Sequence, residues 1–313
     1  MDTITLGPCS PPAAPCVATV GFFDGVHRGH RFLIGRMVDE ARRRGLSSAV
    51  VTFDRHPREV LRSDFRPQSL TTLDEKCALL AQTGADRCVV VPFTKALAAM
   101  DALTFMDTVL RKRLAVRVLV TGYDNRFGHN RSEGFDDYAA YGRQIGVEVL
   151  RCEPLVTDGI RVSSSAVRAL LQEGRVDTAA RCLGYPYTIR GTVVRGEHIG
   201  TALGFPTANL APSAPEKLVP AAGVYAVTAS VEGVDRQLCG MMYIGTRPTF
   251  DGHATTLETN LFDFHGTIYG RRASLSFIGR LRGGRKFGSA AELADQLRHD
   301  ARAARQLLSA RVR

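Results

Sequence analysis

The chain has 313 residues, of which 44% are hydrophobic and 23% are charged, a composition typical of an ordinary globular protein. Its length predicts two domains. The formal net charge of +10 indicates anionic partners. The seven cysteines are odd in number and form no CxxC pair, which argues against a disulfide framework or a zinc ribbon and predicts a reducing, cytoplasmic location.

The first sixteen residues, MDTITLGPCSPPAAPC, carry four prolines and lack the basic segment and apolar core of a signal peptide. We therefore expect residues 1–16 to form a flexible leader. No apolar stretch in the sequence approaches the roughly 18 residues that a membrane-spanning helix needs. The sequence thus predicts a protein that does not insert into a membrane.

Residues 17–184 alternate between short apolar runs and helical periodicity. The strand-like runs are 17–20, 48–53, 88–92, 116–121 and 147–150, and the helical patterns are 31–44, 73–82, 101–114 and 135–145. This alternation predicts an α/β domain with a doubly wound parallel sheet, in which ligands collect at the carboxyl ends of the strands.

The sequence GFFDGVHRGH, residues 21–30, joins the first predicted strand to the first predicted helix. Its glycines let the backbone approach a ligand closely, and the helix start presents unpaired N–H groups to an anion such as a phosphate. His27 and His30 are three residues apart, so both imidazoles can face one group and donate hydrogen bonds to it. The alternatives are a zinc pair, which lacks further ligands at the usual spacing, and histidines that only cap or pack the helix.

Three further loops follow predicted strands of this domain, namely 52–57 (TFDRHP), 122–134 (GYDNRFGHNRSEG) and 161–168 (RVSSSAVR). The last loop combines serine hydroxyls, a helix start and the arginines Arg161 and Arg168, a set that can cradle phosphate oxygens. A plain serine helix cap is the alternative. The sequence has no Walker A motif and no GxGxxG after its first strand, so neither a P-loop nor a dinucleotide Rossmann site is expected.

Residues 185–313 contain short strands separated by turn residues. The strand-like segments are 189–195, 223–231, 237–244, 255–262 and 273–278. A capping box at Ser289 and Glu292 begins an amphipathic helix that runs to about residue 308. The pattern predicts a small antiparallel β-barrel with a C-terminal helix, and the segment 206–209 (PTAN) is predicted to be a turn.

Together these motifs resemble those of bacterial bifunctional riboflavin kinase/FMN adenylyltransferases, the FAD synthetase family. Segments 21–30, 52–57, 122–128 and 161–168 are similar to its GxFDGxHxGH, TFxPHP, GYDFRFG and RISSTxIR motifs. In the second half, 191–194 (GTVV), 204–209 (GFPTAN) and 244–250 (IGTRPTF) are similar to its kinase motifs. The resemblance covers nearly all of the chain after residue 16 and implies an HxGH nucleotidyltransferase domain followed by a riboflavin-kinase-like barrel.

The resemblance implies roles for particular residues of the first domain. FMN would attack the α-phosphorus of ATP to give FAD and pyrophosphate, and the catalytic residues His27, His30 and Arg168 would stabilise the developing charge. The residues implied to bind the nucleotide are Gly21, Phe22, Phe23, Asp24, Gly25, Gly29, Asp124, Arg161, Ser163, Ser164 and Ser165, and those implied to bind the flavin are Phe53, His56, Pro57, Asn125 and Phe127.

In the second domain the resemblance makes Glu258 the general base, which would take the proton from the riboflavin 5′-hydroxyl as that oxygen attacks the γ-phosphorus of ATP. A solvent-facing glutamate is the alternative. Thr207 and Asn209 would hold Mg2+, and Gly200 and Pro206 would contact the nucleotide. The implied small molecules are Mg2+, ATP, riboflavin, FMN and FAD. No nucleic acid partner is expected, and a homo-oligomer is left open.

Two other interpretations stay open at this point. One is a dinucleotide-forming nucleotidyltransferase with a degenerate kinase domain or an altered nucleotide or flavin preference, because residues depart from the family motifs at Asn125, Thr201, Tyr243, Asn260 and Thr267. The other is a nucleic-acid-binding or regulatory protein, suggested only by the net charge and by the basic segment 280–286 (RLRGGRK).

Overall fold

The computed structural model describes residues 1–7, 13–61, 68–129, 131–157, 159–195, 204–249 and 252–310. It divides into two compact units, Met1–Ser164 and Ser165–Arg313. This division falls before the predicted boundary at residue 184, because the helical segment that follows Ser164 hydrogen-bonds to the second unit. The Ala221 N–H, for example, donates to the Leu171 carbonyl at 3.0 Å.

The first unit is built on a parallel sheet. Its strands are β1 Asp2–Thr5, β2 Cys16–Val20, β3 Ser47–Phe53, β4 Arg87–Val91, β5 Val116–Gly122 and β6 Glu148–Cys152. They lie in the order β1-β4-β3-β2-β5-β6, and each neighbouring pair is parallel. The predicted doubly wound sheet is therefore confirmed. The inner strands are buried, which explains why their sequences are continuous apolar runs.

The prediction of a flexible leader over residues 1–16 is wrong for its first residues. Strand β1 pairs in parallel with β4, from Asp2 opposite Arg87 to Thr5 opposite Val90, and Leu6 is buried. The prolines at positions 8, 11 and 12, which favoured a flexible segment, come after this strand. All four side chains of β1 are exposed, so the pairing depends on backbone hydrogen bonds. For this reason the hydrophobic pattern of the sequence does not indicate a strand here.

Helices cover both faces of the sheet. Two apolar clusters share the strands between them, so that Ala18 of β2 packs in one cluster and its neighbour Val17 in the other. The helices are α1 Arg28–Arg44, α2 Pro57–Leu61, α3 Leu73–Leu80, α4 Lys95–Ala98, α5 Ala102–Phe105, continued by a π-helical segment Met106–Arg113, and α6 Phe135–Ile145. A short hairpin, β7 Val156–Thr157 and β8 Ile160–Arg161, precedes the second unit.

The second unit contains a closed antiparallel barrel, as predicted. Helix α7 Ser164–Gln172 begins at the unit boundary and is followed by α8 Val176–Leu183. The barrel strands are β9 Thr188–Val194, β10 Ala208–Pro212, β11 Gly223–Val231, β12 Leu238–Thr249, β13 Gly252–Leu261 and β14 Arg272–Arg282, and the C-terminal helix is α9 Ala290–Ser309. Their order around the barrel is β10-β13-β12-β11-β14-β9.

Strand β10 corrects the prediction that residues 206–209 form a turn. Asn209 pairs with Glu258 of β13 on one side and with Val194 of β9 on the other. The buried side chain of Leu210 faces the barrel interior, and this single apolar residue was too short a signal to set against the glycine and prolines around it.

The barrel has an apolar interior and a second apolar face outside. Tyr225 and Phe277 are fully buried and meet edge to face, with ring centroids 5.3 Å apart. On the outer face, Val224 and Met241 pack against Ala304 of α9. Since side chains alternate along a strand, residues that are one position apart serve different faces.

Thr259 of β13 provides a test of the interior packing. Its side chain is buried beside a narrow apolar cavity, and its hydroxyl has no hydrogen-bond partner among the residues that the structure describes. Replacing an unpaired buried hydroxyl by a methyl group removes a desolvation cost. We expect Thr259→Val to leave the free energy of unfolding in urea unchanged or to raise it by about 1 kcal/mol. A loss of stability of that size would show that the hydroxyl has a partner.

Candidate active sites

The segment that joins β2 to α1 has an unusual backbone. Phe23, Gly25 and Val26 adopt left-handed φ angles of 53°, 77° and 36°. Such angles are uncommon for residues other than glycine, and a β-branched residue such as Val26 is a clear outlier. A Cβ on Gly21 would lie 3.0 Å from the Phe23 ring, so this glycine admits the ring. Strained conformations persist where neighbouring groups enforce them, and they cluster at functional sites.

Asp24 is the residue that enforces this conformation. Its buried carboxylate accepts hydrogen bonds from the N–H groups of Leu70 and Thr71 and from the Thr71 hydroxyl, at 3.0 to 3.1 Å. The Gly25 N–H in turn donates to the Thr71 hydroxyl, and the Ser164 hydroxyl donates to the Asp24 carbonyl at 2.9 Å. Asp24 was predicted to bind the nucleotide. In the structure its carboxylate anchors the turn, and its role in nucleotide binding stays a prediction.

His27 and His30 meet at the start of α1. Helix α1 begins at Arg28, so His27 is its N-cap, and its Nδ1 accepts a hydrogen bond from the His30 N–H at 3.2 Å. The two rings are stacked, with centroids 3.5 Å apart and an interplanar angle of 17°. The capping interpretation therefore applies to Nδ1 of His27. Because Nδ1 accepts this hydrogen bond, a neutral His27 ring carries its proton on Nε2.

Gly29 makes this close arrangement sterically possible. A Cβ at this position would lie 3.1 Å from Nδ1 of His27 and 3.1 Å from the Val162 carbonyl. The imidazoles thus occupy the positive end of a 17-residue helix, where an anionic group is stabilised by the helix dipole and by unpaired N–H groups. The zinc alternative finds no support, because the part of the chain that the structure describes contains no group of three metal-binding side chains.

Lys76 is a residue that the sequence interpretation missed. Its side chain is buried, and its ammonium group donates to the carbonyls of Phe22 at 3.2 Å and Phe53 at 2.8 Å, at the ends of two adjacent strands. Burial lowers the pKa of Lys76 to about 8, although the nearby negative charge of Asp24 acts in the opposite direction. A signal was available in the sequence, because Lys76 shares the helical spacing of the apolar Leu73 and Leu80.

The residues predicted to bind the flavin separate into two groups. Phe53 and Phe127 belong to the apolar core, and Phe127 stacks on Tyr138 with ring centroids 4.1 Å apart. His56 is half-buried and its ring lies edge-on to Phe22, with centroids 5.0 Å apart. Asn125 donates to the Val20 carbonyl at the end of β2, and the half-buried Pro57 begins α2. The core packing of the two phenylalanines could not be read from their motifs.

The remaining phosphate-binding candidates lie on exposed or half-buried positions. Asp124 and Arg161 are exposed, and the guanidinium of Arg161 lies 4.7 Å from the centre of the Tyr123 ring. Ser163 and Ser165 flank the start of α7, and Arg168 lies one turn into that helix, in the second unit. Their binding roles stay predictions. Gly200 lies outside the described residues.

The kinase candidates share one face of the barrel. Asn209 of β10, Glu258 of β13 and Tyr243 of β12 are directly opposite one another in register. Side chains that are directly paired across antiparallel strands lie on the same face, about 5 Å apart at Cβ. Thr207 precedes β10, and neither its hydroxyl nor the Asn209 amide hydrogen-bonds within the described ranges. A carboxylate, an amide and a hydroxyl are thus presented together.

The basic segment that suggested nucleic acid binding is used within the second unit. Arg280 donates to the carbonyls of Glu173 and Ala222, and Arg282 pairs with the buried carboxylate of Asp300 at 2.8 Å. Both arginines thus make contacts within the second unit.

These features define a class. One unit is a doubly wound sheet with paired imidazoles at a helix start, and the other is a barrel with an amide, a hydroxyl and a carboxylate on one face. These are the two domains that the sequence motifs predicted, a nucleotidyltransferase-like sheet domain followed by a kinase-like barrel.

Comparison with known proteins identifies the family. Residues 10–166 match the family model of FAD synthetase, and residues 183–308 match that of riboflavin kinase. The chain is 37% identical over 295 residues to a bifunctional riboflavin kinase/FMN adenylyltransferase of Escherichia coli, covering 94% of this chain and 93% of the relative. A Bacillus subtilis protein of the same description is 35% identical, with 92% and 90% covered. The chain therefore belongs to the bifunctional riboflavin kinase/FMN adenylyltransferase family, as its motifs predicted.

A solved structure agrees with this fold over nearly the whole chain. The crystal structure described as a macrolide-efflux protein from Streptococcus pneumoniae matches with a TM-score of 0.87 and 29% sequence identity, covering 97% of this chain and 99% of that one. Among the described residues of our chain, no helix is both long and apolar enough to cross a bilayer.

The lowered pKa of Lys76 predicts a specific dependence of stability on pH. The pKa is about 8 in the folded chain and takes its ordinary value of 10.5 on unfolding, so the unfolded chain binds the proton more tightly. The contribution of Lys76 to stability therefore rises as the pH increases from about 8 to 10.5. Relative to Lys76→Met, the wild type should gain up to about 3 kcal/mol of unfolding free energy across this window. Urea unfolding of both proteins at several pH values measures this gain, and a difference that does not change with pH would contradict it.

Proposed function

We propose that the chain performs two successive transfers to a flavin. ATP would phosphorylate the 5′-hydroxyl of riboflavin to give FMN and ADP, and FMN would then attack ATP to give FAD and pyrophosphate. The observation that carries the proposal is that each unit matches its own family model and holds its own polar site. The register of Asn209 with Glu258 favours two activities over a nucleotidyltransferase with a degenerate kinase domain.

In the first domain, the start of α1 would bind the ATP triphosphate. A phosphate oxygen of FMN forms a bond to the α-phosphorus while the bond to the pyrophosphate oxygen breaks. His27 and His30 would donate hydrogen bonds to the oxygens that gain charge, and the N–H groups of the helix start would add to this stabilisation. Arg161, Ser163 and Ser164 would contribute further donors to the phosphates. No covalent enzyme intermediate is required, because positioning and charge stabilisation carry this class of reaction.

In the second domain, Glu258 would accept the proton of the riboflavin 5′-hydroxyl while that oxygen attacks the γ-phosphorus and ADP leaves. Thr207 and Asn209 fit a magnesium ion, because both offer oxygen ligands on one face and neither makes a hydrogen bond within the described chain. Bound there together with ATP, Mg2+ would screen the charge of the phosphates. Only two protein ligands are proposed, which is typical of a Mg2+ ion that is held mainly by the phosphates of a nucleotide.

We also propose that the protein works in a reducing compartment such as the cytoplasm. The cysteines within the described ranges are free thiols. Burial raises the pKa of Cys16 to about 11 and that of Cys88 to about 12, so both stay protonated and unreactive at neutral pH. Homo-oligomerisation stays a prediction.

Incubation of the purified protein with riboflavin, ATP and Mg2+, followed by chromatographic separation of the flavins, tests both reactions. We expect FMN first and FAD later, and we expect EDTA to stop the conversion of riboflavin. FMN supplied directly should yield FAD. If FMN is converted and riboflavin is not, the kinase domain is degenerate, and parallel reactions with CTP and GTP reveal any altered nucleotide preference.

Substitutions should separate the two sites. His27→Ala should lower FAD formation from FMN by at least about 100-fold, because it removes a donor to the transferred group. Glu258→Gln should lower FMN formation by about 100-fold to 10,000-fold, because the general base is lost. Each variant is assayed for both reactions and checked for an unchanged thermal unfolding midpoint. If either folded variant lost both activities, the assignment of two separate sites would be wrong.

A further inference from the structure

The loop before β10 lies beyond the end of a strand ladder. The pairing of β10 with β13 consists of Ala208 opposite Thr259 and Asn209 opposite Glu258. Pro206 has no N–H group, so the backbone at this residue cannot donate a further ladder hydrogen bond. Thr207, which is assigned to the metal, thus lies just outside the region that the backbone pairing holds.

The side chain of Asn260 supplies a contact of a different kind to this loop. Asn260 follows Thr259, the last residue of β13 that pairs with β10. Its Nδ2 group donates to the Pro206 carbonyl at 2.8 Å, and the side chain is only 7% exposed. This hydrogen bond holds the loop, because breaking it would leave the buried Asn260 amide without that partner.

Asn260 also lies on the appropriate face. Residues two apart on a strand point to the same side, so Asn260 shares the outer face of β13 with Glu258. Thr207 lies two residues before Asn209 and directly precedes β10. The contact at Pro206 is therefore adjacent to the groups that we assign to the metal and to the base.

We propose that Asn260 is a positioning residue of the kinase site. Its amide fixes the Pro206–Thr207 segment so that the Thr207 hydroxyl is held in line with Asn209 for the nucleotide and its ion. The inference rests on the proposed roles of Thr207 and Asn209 in the kinase reaction. Asn260 does not touch the reacting atoms and acts through the loop alone.

The test compares four variants of the full-length protein. Asn260→Leu keeps the branched shape and removes the donor without adding charge, whereas Asn260→His restores an N–H group at the same distance from Cβ. Thr259→Val, on the opposite face of the same strand, is the matched control. Thr207→Val probes the assigned ligand directly. Binding of ADP with Mg2+ is measured by calorimetry, and hydrogen exchange of the amides in 204–208 is measured by mass spectrometry.

We expect Asn260→Leu to bind ADP with Mg2+ about tenfold more weakly and to exchange the amides in 204–208 faster. Its KM for ATP in the kinase reaction should rise more than its kcat falls. Asn260→His should recover most of the affinity, and Thr259→Val should match the wild type. A protein that is destabilised as a whole would instead show faster exchange throughout the barrel.

Two results would overturn the inference. If Asn260→Leu, still folded, shows unchanged exchange in 204–208 or unchanged nucleotide binding, the amide does not position the loop. If Thr207→Val binds ADP with Mg2+ as the wild type does, the ligand assignment fails first, and the inference fails with it. Because the two failures appear in different variants, they are distinguishable.

Discussion

The buried Asp24 carboxylate holds the turn between β2 and α1 in a shape that the chain would not adopt by itself. Left-handed backbone at Phe23 and Val26 costs of order 1–3 kcal/mol at each residue. The hydrogen bonds from Leu70 and Thr71 to Asp24 offset that cost. With the turn fixed, His27 can cap α1 and stack on His30. The carboxylate therefore shapes the turn at which the phosphate site is predicted.

The same residue connects the two segments that were predicted to bind phosphate. The Ser164 hydroxyl donates to the Asp24 carbonyl, so the start of α7 is tied to the histidine turn. Lys76 links two other parts of the sheet edge, because its ammonium group donates to the carbonyls of Phe22, after β2, and Phe53, at the end of β3. The barrel uses another device. There the strand register sets the spacing of Asn209, Glu258 and Tyr243.

Much of this arrangement could be predicted from the sequence. The apolar runs identified the inner strands of the sheet, and Ser289 caps the C-terminal helix as expected. The motifs also led to the correct family. What they could not provide was the partner of each side chain. Asp24 is held by residues far along the chain, and Phe127 turns into the core because Tyr138 lies beside it. A motif records which residues occur together and leaves open whether each one binds a ligand or supports a neighbour.

Strand β1 has a consequence for the order in which the chain folds. Asp2 is made before its partner Arg87, which comes only after β2 and β3. Contacts between distant segments form slowly, because the loop between them must first be closed. Until β1 docks, the apolar strand β4 is an open sheet edge that can pair with another chain. The docking of β1 onto β4 covers that edge and so removes a route to aggregation.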